Sequence, residues 1–383
     1  MSVDNKVPEI RIKNFSGKWY EVALSSVIDV RSGKDYKHLG KGNIPVYGTG
    51  GYMLSVDSAL SNDEDAIGIG RKGTIDKPCI LRAPFWTVDT LFYAVPFPGF
   101  NLEFIFCLFQ KIEWKKHDES TGVPSLSKIA INNVPVYATN ELEQTAIGNY
   151  FQKLDTLINQ HQQKHDKLSN IKKSMLEKMF PKQGKTIPEI RFKGFTGEWE
   201  EKILNNEVGL FSGLTYSPSD IRKSGTLVLR SSNVKNGQII EADNIYVNPE
   251  VVNCSNVVEG DIIVVVRNGS RSLIGKHAQV TSRMNNTVIG AFMTGIRCKQ
   301  PAFINALLDT NMFTSEVEKN LGATINQITN GSFKSMFFMF PTEDEQQEIG
   351  NYFQKLDALI NQHQQQINKL NNIKQACLSK MFV

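Results

Sequence analysis

The sequence predicts an α+β protein: two β-rich domains joined by two long helices packed as an antiparallel coiled coil, with a pseudo-twofold internal repeat. Three observations predict it. A long segment occurs twice, EQTAIGNYFQKLDTLINQHQQKHDKLSNIKKSMLEKMF from Glu143 to Phe180 and EQQEIGNYFQKLDALINQHQQQINKLNNIKQACLSKMF from Glu345 to Phe382. About 27 of the 38 aligned positions are identical, far more than shared helical composition produces. A shorter segment also occurs twice, VPEIRIKNFSGKWYE from Val7 and IPEIRFKGFTGEWEE from Ile187, and the blocks between these anchors (about 20–140 and 200–342) read as dissimilar.

Taken in order, the first block after its opening motif is rich in strand and turn signals. NIPVYGTGGYM (43–53), DAIGIGRKGTI (65–75), PCILRA (78–83) and FWTVDTLFYAV (85–95) mix β-branched and aromatic residues with glycine turns. A helix is expected around Leu102–Ile112. The first long repeat then places Ile147, Phe151, Leu154, Ile158, Leu168, Met175 and Met179 at spacings near three and four, the period of a helical seam. Asn140 followed by Glu143 is a capping signature, and Pro181 ends the helix.

The second block follows the same plan with GTLVLRSSNV (225–234), GDIIVVVRNGS (260–270), KHAQVTS (276–282) and IGAFMTGIRC (289–298), then a helix over about Ala302–Leu321. The second long repeat, capped by Thr342 and Glu345, carries Ile349, Phe353, Leu356, Ile360, Ile367, Leu370, Cys377 and Met381 on its seam. At about 1.5 Å per residue each repeat makes a rod of about 57 Å. The expected organisation is a first domain over 1–140, a first helix over 141–180, a second domain over 181–342 and a second helix over 343–383. His161 and His363 fall at matching seam positions, where polar residues fix register at some cost in stability.

Composition narrows the function classes. With 40% hydrophobic and 21% charged residues the chain is of ordinary globular type. A net charge of +4 allows nucleic-acid contact through local patches without arguing for it. Five scattered cysteines, never spaced C-x-x-C, give neither a disulfide framework nor a zinc knuckle. The N-terminus lacks an apolar secretory core, and stretches such as Phe100–Phe109 and Ile262–Val266 fall short of a membrane span. The expectation is a soluble cytoplasmic protein with no membrane partner.

Gly68-Ile-Gly-Arg-Lys-Gly73 matches a dinucleotide fingerprint in letters only, because Pro78 follows closely and no βαβ unit surrounds it. The GKT at 184–186 lacks the earlier glycine of a phosphate loop, and no H-E-x-x-H pattern occurs. The Asn/Asp-Pro-Pro-Tyr/Phe motif of amino-methyltransferases is absent. Asp89 with Glu113 and Lys115 loosely imitates a nuclease metal site, a triplet that chance often supplies. No cofactor, metal or catalytic residue is expected.

Binding chemistry remains. Arg71 and Lys72 lie in a glycine-flanked loop where backbone can approach a phosphate, and Tyr47 and Thr49 form a similar exposed turn. In the second block Arg230, Ser232 and Asn233 form one cluster after a strand, and Arg267, Asn268 and Arg271 another. Arginine pairs bidentately with guanine and asparagine with adenine at the major-groove edge. The plain alternative is that these are ordinary polar turn residues.

The PEIR-x-K-x-F-x-G-x-W openings at 8–19 and 188–199, the EQ-x-x-IGNYFQKLD helices at 143–155 and 345–357, and the exchangeable blocks with IPVYGTGG (44–51) and EGDIIVVVRNG (259–269) resemble the specificity subunits of type I restriction–modification systems over essentially the whole chain. The resemblance implies two target-recognition domains, each reading one half of a bipartite site in double-stranded DNA, and paired helices that set the gap between half-sites. It further implies docking of two modification subunits, which bind S-adenosylmethionine and methylate adenine, and of restriction subunits forming an ATP-dependent endonuclease. The chain itself would be non-catalytic. Two other classes stay open on the residues alone: a coiled-coil scaffold whose β-rich domains bind proteins, and a self-contained methyltransferase or nuclease, which the missing motifs disfavour.

Overall fold

The structure, a computed structural model, describes residues 7–321 and 326–383. The chain forms two compact units: one holds residues up to Gln162 together with Gln364–Val383, the other Gln163–His363. The division falls inside both long helices, which run over Glu141–Met179 and Glu343–Lys380.

In the first unit the strands are β1 (Tyr20–Ala23), β2 (Ile28–Ser32), β3 (Lys41–Gly48), β4 (Gly51–Val56), β5 (Ala66–Gly70), β6 (Cys79–Leu81), β7 (Trp86–Thr87), β8 (Leu91–Pro96) and β9 (Pro135–Ala138). They form an antiparallel sheet in the order β2-β8-β5-β6, a second sheet β4-β3-β7 in which β3 and β7 run parallel, and a β1-β9 pair. Strand β5 is buried at every residue, as an interior strand covered on both faces must be, which is why AIGIG shows no polar alternation. A Cβ on its Gly68 would lie 2.9 Å from Cys79 Sγ on β6, so side-chain packing leaves no room there.

The helix Leu102–Lys111 is capped by Asn101, whose side chain accepts from Phe104 N, and it buries Phe104, Ile105, Leu108 and Phe109 along one stripe. Its start sits against the first long helix at Gly148, where a Cβ would meet Asn101 Oδ1 at 2.5 Å. That close approach explains the glycine of IGNYF. Trp19, Phe104, Phe151 and Phe382 pack ring against ring beneath it. Here the two long helices run antiparallel: Tyr150 contacts Cys377, and Asp155 pairs with Lys374 Nζ at 2.6 Å.

The second unit contains β10 (Glu200–Ile203), β11 (Val208–Ser212), β12 (Ile221–Arg222), β13 (Thr226–Leu229), β14 (Val234–Lys235), β15 (Gln238–Ile239), β16 (Ile245–Val247), β17 (Ile262–Val265), β18 (His277–Gln279), β19 (Thr287–Ile289), β20 (Met293–Cys298) and β21 (Phe337–Phe340). Its sheet β11-β20-β17-β18 copies β2-β8-β5-β6, and β16-β13-β19, with its parallel β13-β19 pair, copies β4-β3-β7. The β10-β21 pair copies β1-β9. Trp199, Phe180, Phe303 and Phe353 repeat the aromatic cluster, and Gly350 repeats Gly148, its Cβ position 2.7 Å from Phe303 N. In this unit too the long helices are antiparallel, with Lys172 on Asp357 and Phe180 beside Phe353.

Three expectations are corrected. The helix over 302–321 is two helices, Pro301–Leu308 and Asn311–Asn320, because Thr310 caps the second and Asp309 turns its carboxylate to Lys172 and His277. The cap of the first long helix is only half a capping box. Asn140 Oδ1 accepts from Glu143 N, but the Glu143 carboxylate goes to Arg11, a bidentate ionic partner that outcompetes a neutral backbone N–H. Finally, the dissimilarity of the blocks is broken by a short local match. Ser32-Gly33 with Tyr36 aligns without a gap on Ser212-Gly213 with Tyr216, and a Cβ at Gly33 or Gly213 would lie 2.0 or 2.1 Å from the carbonyl oxygen of Val88 or Gly290.

Candidate nucleic-acid interface

In the first unit the expected binding residues gather at one rim of the sheets. The turn between β3 and β4 carries Thr49, and the loop after β5 carries Arg71 and Lys72. The two are neighbours, since Thr49 Oγ1 lies 3.9 Å from a Cβ placed on Gly73. Tyr47 is half-buried, its carbonyl accepting from Val88 N and its ring edge-on to Tyr52 at 6.4 Å, so it supports the turn from behind. Backbone bonds fix the 71–73 loop: Arg71 N and Lys72 N donate to Thr90 O, Gly73 N to Pro124 O, and Arg71 O accepts from Leu126 N. The Arg71 guanidinium lies back over Phe92, 5.9 Å from the ring centroid, whereas Lys72 extends from an exposed position.

The second unit joins its two expected clusters. Asn268 Nδ2 donates to Ser231 Oγ at 3.0 Å, tying the loop after β17 to the turn after β13. Ser232 and Arg271 are exposed there. Arg267 is exposed with its guanidinium over Phe292, 4.9 Å from the ring centroid, and Phe292 is itself 53% exposed. Two residues from this set do not face outward. Asn233 is 0% exposed: its Nδ2 donates to Ile240 O, Ala242 O and Asn244 Oδ1, and its Oδ1 accepts from Arg230 N. It shapes the turn and has no spare group for a base, which corrects the expectation of direct contact. Arg230 is half-buried and pairs with Asp243 at 2.7 Å.

The sequence reading missed Phe292, because FMTGI reads as strand core, and Asn326, whose Nδ2 donates to Gly269 O and steadies the same loop. Elsewhere in the second unit a charged cluster joins β18 to the unit's helical segments. Lys172 Nζ lies 2.6 Å from both Asp309 and Asp357, and His277 Nε2 is 3.4 Å from Asp309. Burial alone would lower the His277 pKa, but the Asp309 carboxylate and the Gly275 carbonyl outweigh it and raise it above the usual value. Burial would raise Asp309, yet His277 and Lys172 hold its pKa at about 2. Asp357 is raised, because its burial, with the nearby Asp309 carboxylate, outweighs the pull of Lys172 and His277.

The nuclease-like triplet is not assembled: Lys115 pairs with Asp76, and Glu113 with Lys116. Among the described residues no group of three or more His, Cys, Asp or Glu side chains could hold a metal ion. No helix among them is long and apolar enough to cross a membrane.

The profile of the family described as "Type I restriction modification DNA specificity domain" matches residues 16–170 and 197–372. The chain is 25% identical over 186 residues to the type I restriction enzyme StySPI specificity subunit of Salmonella potsdam, covering 46% of this chain and 39% of that protein. It is 21% identical over 286 residues to the MjaVIII specificity subunit of Methanocaldococcus jannaschii, covering 70% of this chain and 66% of that protein. These alignments therefore span less than two thirds of either relative's length. The crystal structure of the type I restriction–modification system S subunit from M. genitalium superposes with a TM-score of 0.70 at 14% identity, covering 98% of this chain and 99% of that one, a likeness of fold. With one family match in each half, a duplicated topology and a loop-built rim on each unit, the chain belongs to the type I restriction–modification DNA-specificity family.

Proposed function

We propose that this chain is the address-reading subunit of a type I restriction–modification complex in the cytoplasm. It recognises a bipartite double-stranded DNA target through the domains over 1–140 and 181–342, and it directs adenine methylation and restriction by partner subunits. The observation that carries the reading is the duplicated plan with divergent rims. The same opening motif, sheet topology and helix occur twice, while the rim loops differ in sequence, with GTGG and GRKG in one unit and RSSN and RNGS in the other. Two copies of one scaffold bearing different loops suit two different half-sites.

Thr49, Lys72, Ser232, Arg267 and Arg271 are the residues offered to DNA, Arg71 lies beside them over Phe92, and Tyr47, Arg230, Asn233 and Asn268 shape the loops that hold them. The helices over 141–180 and 343–383 set the gap, and two modification subunits and the restriction subunits supply the chemistry. A near-neutral chain fits this division of labour, because partner subunits then contribute much of the phosphate grip.

Retention of genomic duplexes by the complex of this chain with its modification subunit, over a salt series, tests the reading. Sequence-selective retention that weakens with salt is expected. Sequence-blind retention by a stable complex would favour a protein-binding scaffold instead.

A further inference from the structure

The two rim loops, aligned by backbone hydrogen bonds rather than by sequence, single out one matched position. In the first unit Arg71 N and Lys72 N share Thr90 O, Leu126 N donates to Arg71 O, and Gly73 N donates to Pro124 O. Lys72 forms an isolated bridge with Ser125. In the second unit Val266 N and Arg267 N share Phe292 O, Ile328 N donates to Val266 O, and Asn268 N donates to Asn326 O. Arg267 forms an isolated bridge with Gln327. The strand registers agree, since Gly70 faces Leu91 as Val265 faces Met293.

The correspondence is therefore Lys72 with Arg267, and Arg71 with Val266. Reading the letters would have paired the two arginines. Val266 is buried, and Arg71 at the same place folds back over Phe92 with Nη1 3.4 Å from Asp89 O. The position that both units give to an exposed cation is that of Lys72 and Arg267, and among the described residues neither has a carboxylate partner.

We infer that Lys72 and Arg267 are equivalent specificity positions, each reading one base pair in its own half-site. The inference rests on the DNA-reading function proposed above. Each cation stands just past the end of a buried strand on a loop held by four backbone hydrogen bonds, so the backbone that carries it needs no further ordering when DNA arrives. Arg267 further rests its guanidinium over the exposed ring of Phe292, 4.9 Å from the centroid, a cation–π contact that limits where its fork can go, and an arginine fork is the group that pairs bidentately with guanine O6 and N7. Lys72, without an aromatic platform, offers a point charge to the matching base pair.

Selection of duplexes from a randomised library by the complex of the full chain with its modification subunit tests the inference. Wild type should select two half-sites at a fixed gap. Arg267→Lys keeps the charge and the fold, and it should erase preference at one base pair of one half-site, a loss of discrimination of about tenfold or more, while the other half-site stays intact. Phe292→Leu should weaken the same base pair only. Lys72→Ala should relax one base pair of the opposite half-site. Arg267→Lys or Lys72→Ala variants that select the wild-type motif unchanged overturn the inference while leaving the DNA-reading function standing, as do variants that weaken both half-sites equally. A wild-type complex that selects no bipartite motif overturns both.

Discussion

Replacing Glu143 by alanine tests how the opening motif is fastened to its unit. The Glu143 side chain is completely buried and accepts from Arg11 Nε at 2.6 Å, Arg11 Nη2 at 2.7 Å and Thr139 Oγ1 at 2.5 Å. Arg11 is 13% exposed and also donates to the carbonyls of Ser16 and Gly17, so one guanidinium folds the PEIR segment back on itself and joins it to the helix start. Removing one partner of a buried pair costs ~3–5 kcal/mol because the other charge is left uncompensated. Arg11 keeps two carbonyl acceptors, which places the expected loss near the lower end, ~3 kcal/mol. For a body of this size each kcal/mol shifts Tm by about 2–4 °C, so unfolding of the first unit should fall by about 6–12 °C.

Glu345→Ala should do the same to the second unit, where Arg191 grips Glu345 at 2.6 and 2.7 Å. Thermal melts of the full chain, followed by protease mapping of the unit that opens first, provide the readout. The double variant Arg11→Met/Glu143→Leu should recover much of the loss, since apolar replacement of both partners leaves no orphan charge. A shift under about 2 °C for Glu143→Ala, or a double variant as unstable as the two single changes summed, would show that the Arg11–Glu143 pair does not fasten the opening motif.

Other outcomes follow from the same geometry. Because the His277 pKa is raised in the folded state, its contribution is complete below about pH 6.5 and is lost as pH rises through the raised value. Urea unfolding of the second unit should therefore show stability falling as pH rises above about 6.5, and His277→Gln should remove that slope. Asp309, held at about 2, contributes above its unfolded value near 3.8 and loses that contribution as pH falls from there towards 2, a loss that Asp309→Asn should abolish in the same titration. Gly148→Ala, pressing a methyl to 2.5 Å from Asn101 Oδ1, should cost ~1–3 kcal/mol in denaturant melts, and Gly350→Ala at least as much because backbone stands in its way. Deleting one heptad from each long helix should change the tolerated gap in the methylated motif, with both half-site sequences retained.

Much of this architecture was legible because it is written in periodicity and repetition. The helical seams from Ile147 and Ile349 and the paired openings define the plan without any knowledge of contacts. What the letters hid was hidden for physical reasons. The blocks read as unlike because a sheet tolerates any β-branched or aromatic filling, and the few positions with no freedom, such as Gly33 and Gly213 against a carbonyl, are too sparse to stand out. Asn233 in RSSN reads as a base reader, but its amide is consumed by three local acceptors. Arg71 looks like the partner of Arg267 until the backbone register shows Val266 in its place. Side-chain type was visible at the rim, whereas direction depends on register, which one sequence does not carry.

If this chain supplies the address for methylation carried out by partner subunits, the methylation pattern of a cell that holds both depends on it. Mapping methylated adenines genome-wide in a cell given this chain and its modification subunit tests it most directly. One new bipartite motif, two unlike half-sites at a fixed gap, is expected, and it should disappear when this chain is withheld. A stable complex of the two proteins that writes no new motif, or writes the same motif without this chain, would contradict it.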